Sequence, residues 1–386
     1  MKILAFGEVM MRLMPPDYKL LTQTNNLEYL FTGTGVNVLA GLYRLGNEVY
    51  FSTVLPKNSV GYAASDHLRK LGINDKLISF KGDHMGMYFL EVGVGRRPSK
   101  VTYMNRRESS FGKSDINDYD INKLLEDKNA VHICGISLAL NSNTRSCAKM
   151  IAKEAKKRGI KVIFDCNFRP SLWSESERAL AKDEYVEMLN LADVVFAGEK
   201  DAELLLEIEC PSNLKEKEKL EYLIGKMRDI FSIDLILGTI RKGQGEEQQL
   251  QGYLLNENGL ILSNLYDLII YDRVGGGDAF TAGILHGILH EMPNERVVEF
   301  GTCASSLKHS IIGDINIIDL RMLLKHPFSG LIGHLAVILG HLDIHQSVSR
   351  FLLLHHLSES LDPEMVAVNI AGARHHKKAH RPLGHQ

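Results

Sequence analysis

The sequence predicts an α/β fold built on a doubly wound, mostly parallel central sheet with helices on both faces. Short runs of nearly continuous apolar residues recur along the chain, and amphipathic segments separate them. This alternation persists over roughly the first 320 residues. Such apolar runs are typical of strands buried on both sides of a parallel sheet, and their alternation with helices indicates βαβ units.

Each predicted strand is bounded by glycine, aspartate or charged residues, which end the apolar run. The strands are predicted at residues 2–6, 130–134, 162–165, 194–197 and 233–237. Amphipathic helices are predicted at residues 144–158 and 201–207. Because ligands bind beyond the carboxyl ends of such strands, we expect the stretch 165–169 to face a site.

Two stretches interrupt this rhythm. Residues 18–31 are polar and irregular, whereas residues 85–104 alternate between apolar and polar side chains, which predicts a β-hairpin outside the main sheet. We expect segments from about 10–35 and 85–110 to form a small β-sheet lid over the core. A second hairpin is predicted at residues 250–262, with its turn at 256–259.

Composition bounds the class of protein. The 386 residues suit one large α/β domain, or one domain plus a small addition, and 45% apolar with 24% charged residues is normal for a globular protein. The formal net charge of −2 argues against a nucleic-acid partner. No apolar stretch approaches the roughly 20 residues of a membrane span, so no membrane partner is expected. The five cysteines are scattered, which favours a reduced, cytoplasmic setting.

The last part of the chain differs from the rest. From His326 onward the chain holds 10 of the 16 histidines and the alternation stops. We therefore predict a domain at residues 1–325 and a His-rich extension at 326–386 of unassigned role. His341 and His345 have a spacing that can bind a metal on a helix, but no third ligand is evident. A disordered or non-native tail, including one from an altered reading frame, is favoured over a metal site.

The strongest chemical signal is a glycine run followed by an aspartate, Gly275, Gly276, Gly277 and Asp278. Successive glycines expose backbone N–H groups, and the helix predicted to start at Ala279 adds the positive end of its dipole. A phosphate cradle beside a carboxylate is what phosphoryl transfer to an alcohol requires. The alternatives are a flexible loop between a strand and a helix, and an aspartate that only caps the helix.

Several segments in order resemble one family. Residues 31–38 resemble the N-terminal glycine-rich signature of ribokinase-like sugar kinases, the PfkB family, and residues 272–280 resemble its second signature. Residues 165–173, Thr239 to Arg241, and Leu307-Lys308 followed by Gly313-Asp314 are similar to the branch that contains 2-keto-3-deoxygluconate kinases. The resemblance covers about residues 1–322.

The resemblance implies a ribokinase-like fold and a carbohydrate kinase that uses ATP and Mg²⁺. The implied reaction is phosphorylation of 2-keto-3-deoxygluconate at its C6 hydroxyl, which gives 2-keto-3-deoxy-6-phosphogluconate and ADP. Asp278 would be the base, and Gly275 to Gly277 would form the anion hole. Fructokinase or another sugar kinase of the family is the alternative activity. A sugar-acid-binding protein without catalysis is the alternative from another class.

The resemblance also assigns substrate-binding positions. Asp278 would face the reacting hydroxyl, and arginine forks at the other end would match a sugar-acid carboxylate. The implied substrate residues are Gly33, Thr34, Asn37, Tyr88, Tyr103, Arg106, Arg169, Asp278 and Asp314. Arg107 is an alternative to Arg106, Tyr88 could instead pack in the core, and Asp314 could be a simple turn residue.

Nucleotide-binding positions follow in the same way. The implied residues are Asn167, Thr239, Arg241, Gly275, Gly277 and Lys308, with Lys308 near the expected adenine pocket. The chain departs from the family where Thr32-Gly33 replaces a Gly-Gly pair and Gly198 to Asp201 replaces Asn-x-x-Glu. Asp201 is therefore the expected metal residue, acting through water. A homodimer that pairs through the lid is the expected assembly.

Overall fold

The computed structural model describes residues 1–244 and 247–324 of the chain. The predicted extension at 326–386, with His341 and His345, lies outside the described residues. In chain order the strands are β1 Lys2–Phe6, β2 Met10–Met14, β3 Glu28–Thr32, β4 Glu48–Leu55, β5 Ile78–Phe80, β6 Met87–Glu91, β7 Lys100–Met104, β8 Ala130–Cys134, β9 Lys161–Asp165, β10 Val194–Phe196, β11 Leu235–Gln244, β12 Glu247–Asn256, β13 Gly259–Leu262 and β14 Tyr266–Asp267.

Within the described part of the chain, ten strands form the main sheet. Its order is β13-β12-β11-β10-β9-β8-β1-β4-β5, and β14 pairs with β12. The strands from β11 to β5 pair in parallel, whereas β12, β13 and β14 add antiparallel pairs at one side. The predicted doubly wound, mostly parallel sheet is therefore confirmed.

Helices cover both faces of this sheet. The α-helices are α1 Thr34–Arg44, α2 Ser59–Lys70, α3 Ile121–Leu125, α4 Ile136–Leu140, α5 Ser142–Lys157, α6 Ala181–Leu189, α7 Glu216–Phe231, α8 Gly276–Leu289, α9 Asn294–Lys308 and α10 Leu320–Leu324. Alternate residues of β1 enter two hydrophobic cores: Leu4 and Phe6 pack with α3 to α7, whereas Ile3 and Ala5 pack with α1, α2, α8 and α9. This double burial explains the continuous apolar runs in the sequence.

A second, four-stranded sheet has the order β3-β2-β6-β7. The predicted hairpin is confirmed, because β6 and β7 pair antiparallel from Met87↔Met104 to Glu91↔Lys100. The expectation of an irregular stretch at 18–31 is only partly right. Leu21–Gln23 forms a 3-10 turn, but β3 begins at Glu28 and pairs with β2. The outer half of β3 is solvent-exposed, so the sequence there lacks the apolar alternation that marks a strand.

Other boundaries differ modestly from prediction. The helix expected at 201–207 is a single π-helical turn at Asp201–Leu205, and β11 continues beyond the predicted residue 237 to Gln244. The hairpin at 250–262 is confirmed, with Asn256 opposite Gly259. Helix α8 begins at Gly276 rather than Ala279, because Gly275 takes a left-handed conformation with φ of 79° and so ends the preceding loop.

Among the described residues, no helix is long and apolar enough to cross a membrane.

Candidate active site

The site lies where the N-termini of α1 and α8 meet the four-stranded sheet β3-β2-β6-β7, which is called the lid sheet below. Gly33 precedes α1 and Gly275 precedes α8. A side chain at Gly33 would overlap the carbonyl oxygen of Glu8, and one at Gly275 would overlap the carbonyl oxygen of Asp314. A Cβ added at Gly277, in contrast, would meet no atom within 4 Å. The glycine run therefore packs tightly on its inner side and leaves open space beside its outer N–H groups.

Asp278 stands in the first turn of α8, directly after these glycines. Asn37 in α1 donates from Nδ2 to Asp278 Oδ2 over 2.7 Å. Burial raises the pKa of the Asp278 carboxyl to about 7; the Asn37 bond opposes this rise, and the Asp314 charge adds to it. A carboxyl with a pKa near neutrality, fixed by a neutral amide, can accept a proton at physiological pH.

A second carboxyl faces the same space from the end of β9. Burial raises the pKa of Asp165 to about 8, and the charges of Asp278 and Asp201 raise it further. Asp201, in the π-helical turn, accepts a bond from the Gly198 N–H at 2.8 Å, and burial raises its pKa too. Asp165 was not among the sequence-based site residues, although it lies at the strand end that was expected to face a site.

The Asp314 carboxylate accepts hydrogen bonds from side chains of three strands of the lid sheet. Arg12 of β2 forms a buried ion pair with Asp314 Oδ1. Thr32 of β3 donates to Asp314 Oδ2 at 2.8 Å, and the Tyr88 hydroxyl of β6 donates to the same oxygen at 3.3 Å. Tyr88 is therefore buried and also forms a hydrogen bond to Asp314. Asp314 is only 2% exposed, so its charge is neutralised inside the protein.

Asn37 connects this cluster to Asp278. Thr32 Oγ1 lies 3.1 Å from Asn37 Oδ1 and 2.8 Å from the Asp314 carboxylate. A hydroxyl donates one proton, and the carboxylate is both the nearer and the stronger acceptor. Asn37 Oδ1 therefore remains able to accept a further hydrogen bond, while its Nδ2 donates to the Asp278 carboxylate.

Asp272 ties the glycine loop to the loop that carries Asp314. Its two carboxylate oxygens accept from the N–H groups of Val274 at 2.9 Å and Gly313 at 2.8 Å. The carbonyl oxygen of Asp314 lies against Gly275, so the two loops form one rigid unit. The conformation of the glycine loop is therefore set jointly by residues 41 positions apart in the sequence.

Arg106 is buried and paired inside the protein. Its Nε and one terminal nitrogen donate to Glu8 Oε2 at 2.9 and 2.7 Å, and the Glu8 charge helps to raise its pKa. The Tyr103 ring lies 4.9 Å from the guanidinium, and the Tyr88 ring lies 5.8 Å from that of Tyr103. Glu8 thus occupies much of the fork that was expected to meet a substrate carboxylate.

Two other arginines lie on the same side of the site. Arg169 is exposed and donates from Nε to the neutral Asn167 Oδ1 at 3.0 Å, whereas Arg107 pairs with Glu177 at 3.2 Å. Arg106 and Arg107 line a cavity of about 320 Å³ whose wall also includes Tyr103, Ile136, Leu140 and Leu172. Asn167 itself has a positive φ of 38° and donates to the Cys134 sulfur at 3.5 Å, so it turns the chain at the end of β9.

The opposite side of the site carries cations. Thr239 and Arg241 lie on β11, and Arg241 donates to His309 Nε2 at 3.0 Å. Lys308 is fully buried, and its Nζ donates to the Ile311 carbonyl at 2.9 Å. A Cβ added at Gly275 would lie 3.3 Å from Lys308 Cε, which places this lysine beneath the glycine loop.

Within the described residues, these cations belong to no close ion pair. Burial and the neighbouring Arg273 charge lower the pKa of Arg241. Burial also lowers the pKa of Lys308, although the charges of Asp272, Asp314 and Asp278 oppose this fall. In the part of the chain that the structure describes, no ion pair within 4.0 Å includes Arg241, Arg273 or Lys308. The arrangement suits a polyanion, because unpaired cations beside exposed backbone N–H groups attract phosphate.

Known proteins share this architecture. The family model described as pfkB family carbohydrate kinase matches residues 1–234. The chain belongs to the pfkB family of carbohydrate kinases. A structure from Enterococcus faecalis, proposed to be a 2-keto-3-deoxygluconate kinase, is 40% identical to this kinase; its TM-score is 0.81, with 84% of this chain and 97% of that chain covered.

Two further relatives cover similar shares of the kinase. The structure of 2-dehydro-3-deoxygluconokinase from Thermotoga maritima is 32% identical, with a TM-score of 0.79 over 84% of this chain and 97% of that chain. The 2-dehydro-3-deoxygalactonokinase of Haloferax volcanii is 25% identical over 318 residues, which is 82% of this chain and 93% of the relative.

Sequence reasoning missed several residues that shape the site of this kinase. They are Glu8, Arg12, Asp165, Asp272 and His309. Arg12 had a detectable signal, because it is the single charged residue in the apolar run of β2 and occupies its buried position. Asp165 also had a signal, because it stands at the strand end that was expected to face a site. Glu8, Asp272 and His309 gave none, because each has a partner that is distant in the sequence: Arg106, Gly313 and Arg241.

Proposed function

We propose that this kinase transfers the γ-phosphoryl group of ATP to the C6 hydroxyl of 2-keto-3-deoxygluconate, which gives 2-keto-3-deoxy-6-phosphogluconate and ADP. The observation that carries the proposal is the Asp278 carboxyl, held by Asn37 at the N-terminus of α8 with a pKa raised to about 7. The named relatives act on ketodeoxy sugar acids, which supports this substrate class.

In the proposed reaction, Asp278 takes the proton of the sugar hydroxyl as its oxygen forms a bond to the γ-phosphorus. The bond between that phosphorus and the ADP oxygen breaks, and ADP leaves. Asn37 keeps the Asp278 carboxylate oriented through the 2.7 Å bond. Gly33 and Thr34, at the start of α1, would lie beneath the sugar, where backbone can approach it closely.

The glycine loop would stabilise the charge that develops on the transferring phosphoryl group. The N–H groups of Gly275, Gly276 and Gly277 lie at the positive end of the α8 dipole. Lys308 adds a full positive charge beneath the loop, and Thr239 and Arg241 would contact the remaining nucleotide phosphates. Because these donors are already in place, little reorganisation is needed when the reaction begins.

Arg169 is the arginine best suited to the carboxylate of the sugar acid. It is exposed and bonded to the neutral amide of Asn167, whereas Glu8 engages Arg106 and Glu177 engages Arg107. Tyr88, Tyr103 and Arg106 would shape the wall at this end. Fructokinase activity is the alternative, and it would not require Arg169, because fructose carries no carboxylate.

Two carboxylates fit a hydrated Mg²⁺: Asp165 at the end of β9 and Asp201 in the π-helical turn after β10. In residues 1–244 and 247–324, no group of three or more ligating side chains is arranged to hold a metal. Mg²⁺ in kinases, however, commonly uses one or two carboxylates, waters and substrate phosphates. Asp201, with Asp165 beside it, would hold the ion through water. When bound, Mg²⁺ neutralises charge on the nucleotide phosphates.

The lid sheet supports a proposed homodimer. Strands β3 and β7 are its edges, and every residue of β7 is exposed, including Val101, Tyr103 and Met104. Unpaired edges with exposed apolar side chains favour pairing with another sheet. In this arrangement the lids of two copies cover each other's exposed faces.

Coupled ADP release with ATP and Mg²⁺ tests the proposed substrate. We expect 2-keto-3-deoxygluconate to be preferred over fructose, ribose and gluconate, and Arg169→Met to raise its KM by about tenfold or more, because a charge-assisted bond is lost. Arg178→Met is the matched control, since Arg178 is exposed on a neighbouring 3-10 turn.

The control variant should leave KM unchanged. Preference for a neutral sugar, with no effect of Arg169→Met, would reject the sugar-acid assignment in favour of another sugar kinase. No ADP release with any sugar would favour the non-catalytic sugar-acid-binding protein.

A further inference from the structure

His309 follows the last residue of α9 and is 0% exposed. Its ring nitrogens have partners of opposite kinds. Nδ1 lies 2.7 Å from the Ser305 carbonyl oxygen, which can only accept, and Nε2 lies 3.0 Å from a terminal nitrogen of Arg241, which can only donate. These partners require a proton on Nδ1 and a free lone pair on Nε2. The ring is therefore a neutral acceptor for Arg241.

The same residue also contacts the anion hole. The main-chain carbonyl of His309 accepts from the N–H groups of Tyr271 at 2.9 Å and Asp272 at 3.1 Å. Its ring lies against Gly276, where an added Cβ would come within 2.6 Å of Cε1. The Ser305 hydroxyl donates to the Gly276 carbonyl at 2.8 Å. One side chain thus sets the position of Arg241 relative to the phosphate-binding loop.

A neutral acceptor differs from an acidic one because it leaves the positive charge of Arg241 available to a ligand. A glutamate or aspartate at this place would hold Arg241 equally well but would cancel its charge. Burial lowers the pKa of His309, and the charges of Arg241, Lys308 and Arg273 lower it further, so the ring stays neutral. Arg241 is consequently fixed in place and keeps its full positive charge for an anion.

We propose that His309 is a positioning residue that holds Arg241 against the nucleotide phosphates while leaving the arginine charge uncompensated. This inference rests on the proposed role of Arg241 in binding those phosphates. It predicts that losing the Nε2 acceptor weakens nucleotide binding and leaves sugar binding intact.

Two substitutions separate the ring nitrogens. In His309→Asn the short amide can still donate to the Ser305 carbonyl, but nothing accepts from Arg241. In His309→Gln the longer amide places a carbonyl oxygen near the position of Nε2. We expect His309→Asn to raise KM for ATP about tenfold with KM for the sugar within about twofold of wild type, and His309→Gln to restore most of the loss.

Arg241→Met distinguishes the possible failures. If Arg241→Met leaves KM for ATP unchanged, the proposed role of Arg241 is wrong, and the inference falls with it. If Arg241→Met raises KM for ATP but His309→Asn does not, the role of His309 alone is overturned. Equal losses in the Asn and Gln variants, with both KM values raised, would indicate a merely structural residue and would also overturn the proposal.

The tautomer provides a test that does not depend on a variant that folds. Nitrogen NMR of the wild-type protein labelled with ¹⁵N-histidine at pH 7 should show His309 with a protonated Nδ1 and an unprotonated Nε2. Addition of ATP should leave that tautomer in place. A charged imidazolium, or the opposite tautomer, would contradict the proposed geometry.

Discussion

The lid side and the nucleotide side of the site treat positive charge in opposite ways. On the lid side, Arg12 pairs with Asp314 and Arg106 pairs with Glu8, and all four residues are buried. On the nucleotide side, Arg241 donates to a neutral histidine and Lys308 to a backbone carbonyl. A buried charge with a counter-ion holds its neighbouring segments together, whereas a cation without a counter-ion is available to bind an anionic ligand. Similar side chains are therefore paired inside the fold on the lid side, whereas those on the other side are the ones that we propose bind the nucleotide phosphates.

Asp278 lies between the two sides, so its loss should affect transfer without disturbing either one. We expect Asp278→Asn to lower kcat by about 10²–10⁴-fold, because a positioned general base contributes that much. KM for ATP and for the sugar should stay within about threefold of wild type. Steady-state kinetics with coupled ADP release measures all three, and a kcat near wild type would remove Asp278 as the base.

The same variant has a predicted effect on stability. The pKa of Asp278 is about 7 in the folded protein against an ordinary value of 3.8, so between these values the folded state binds more protons than the unfolded state. Stability from this group is lost as pH rises through that window. Asn cannot ionise, so Asp278→Asn should raise the unfolding temperature at pH 8 and have little effect at pH 4.

The free energy of unfolding tests the contrast between arginines with and without an ion pair. Arg12→Met leaves the Asp314 charge buried without its counter-ion, and we expect a loss of about 3–5 kcal/mol in the free energy of unfolding. Arg241→Met removes no ion pair but leaves the buried His309 Nε2 without its donor, so we expect a smaller loss of about 1–2 kcal/mol. Urea unfolding of both variants measures the difference, and equal losses would refute the division into structural and binding arginines.

Local chemistry was predictable from the sequence, and long-range pairing was not. The glycine loop and Asp278 are contiguous, so the sequence alone suggests the roles that we propose for them, and the apolar runs predicted β1 and β8 without error. Arg12 and Asp314, in contrast, are 302 residues apart, and Arg106 and Glu8 are 98 apart. Nothing in the local sequence of either residue specifies its partner, because the tertiary fold brings the two together.

Arg106 illustrates the limit of assigning roles by residue type. An arginine near a lid matches a sugar-acid carboxylate, but the structure gives most of its fork to Glu8. His309 illustrates the converse: a histidine at a helix end is unremarkable in sequence, and its meaning comes from the two partners that fix its tautomer. Both roles depend on which donors and acceptors the fold leaves unpaired.

The pH dependence of kcat/KM with 2-keto-3-deoxygluconate tests the central claim that the base is Asp278, a partly buried carboxyl with a raised pKa. Asp278 must be ionised to accept the proton, so the rate should fall about tenfold per pH unit below an acid limb near pH 7. Asp314→Asn should move that limb to lower pH, because the Asp314 charge raises the Asp278 pKa. An acid limb near pH 4, unmoved by Asp314→Asn, would contradict the account.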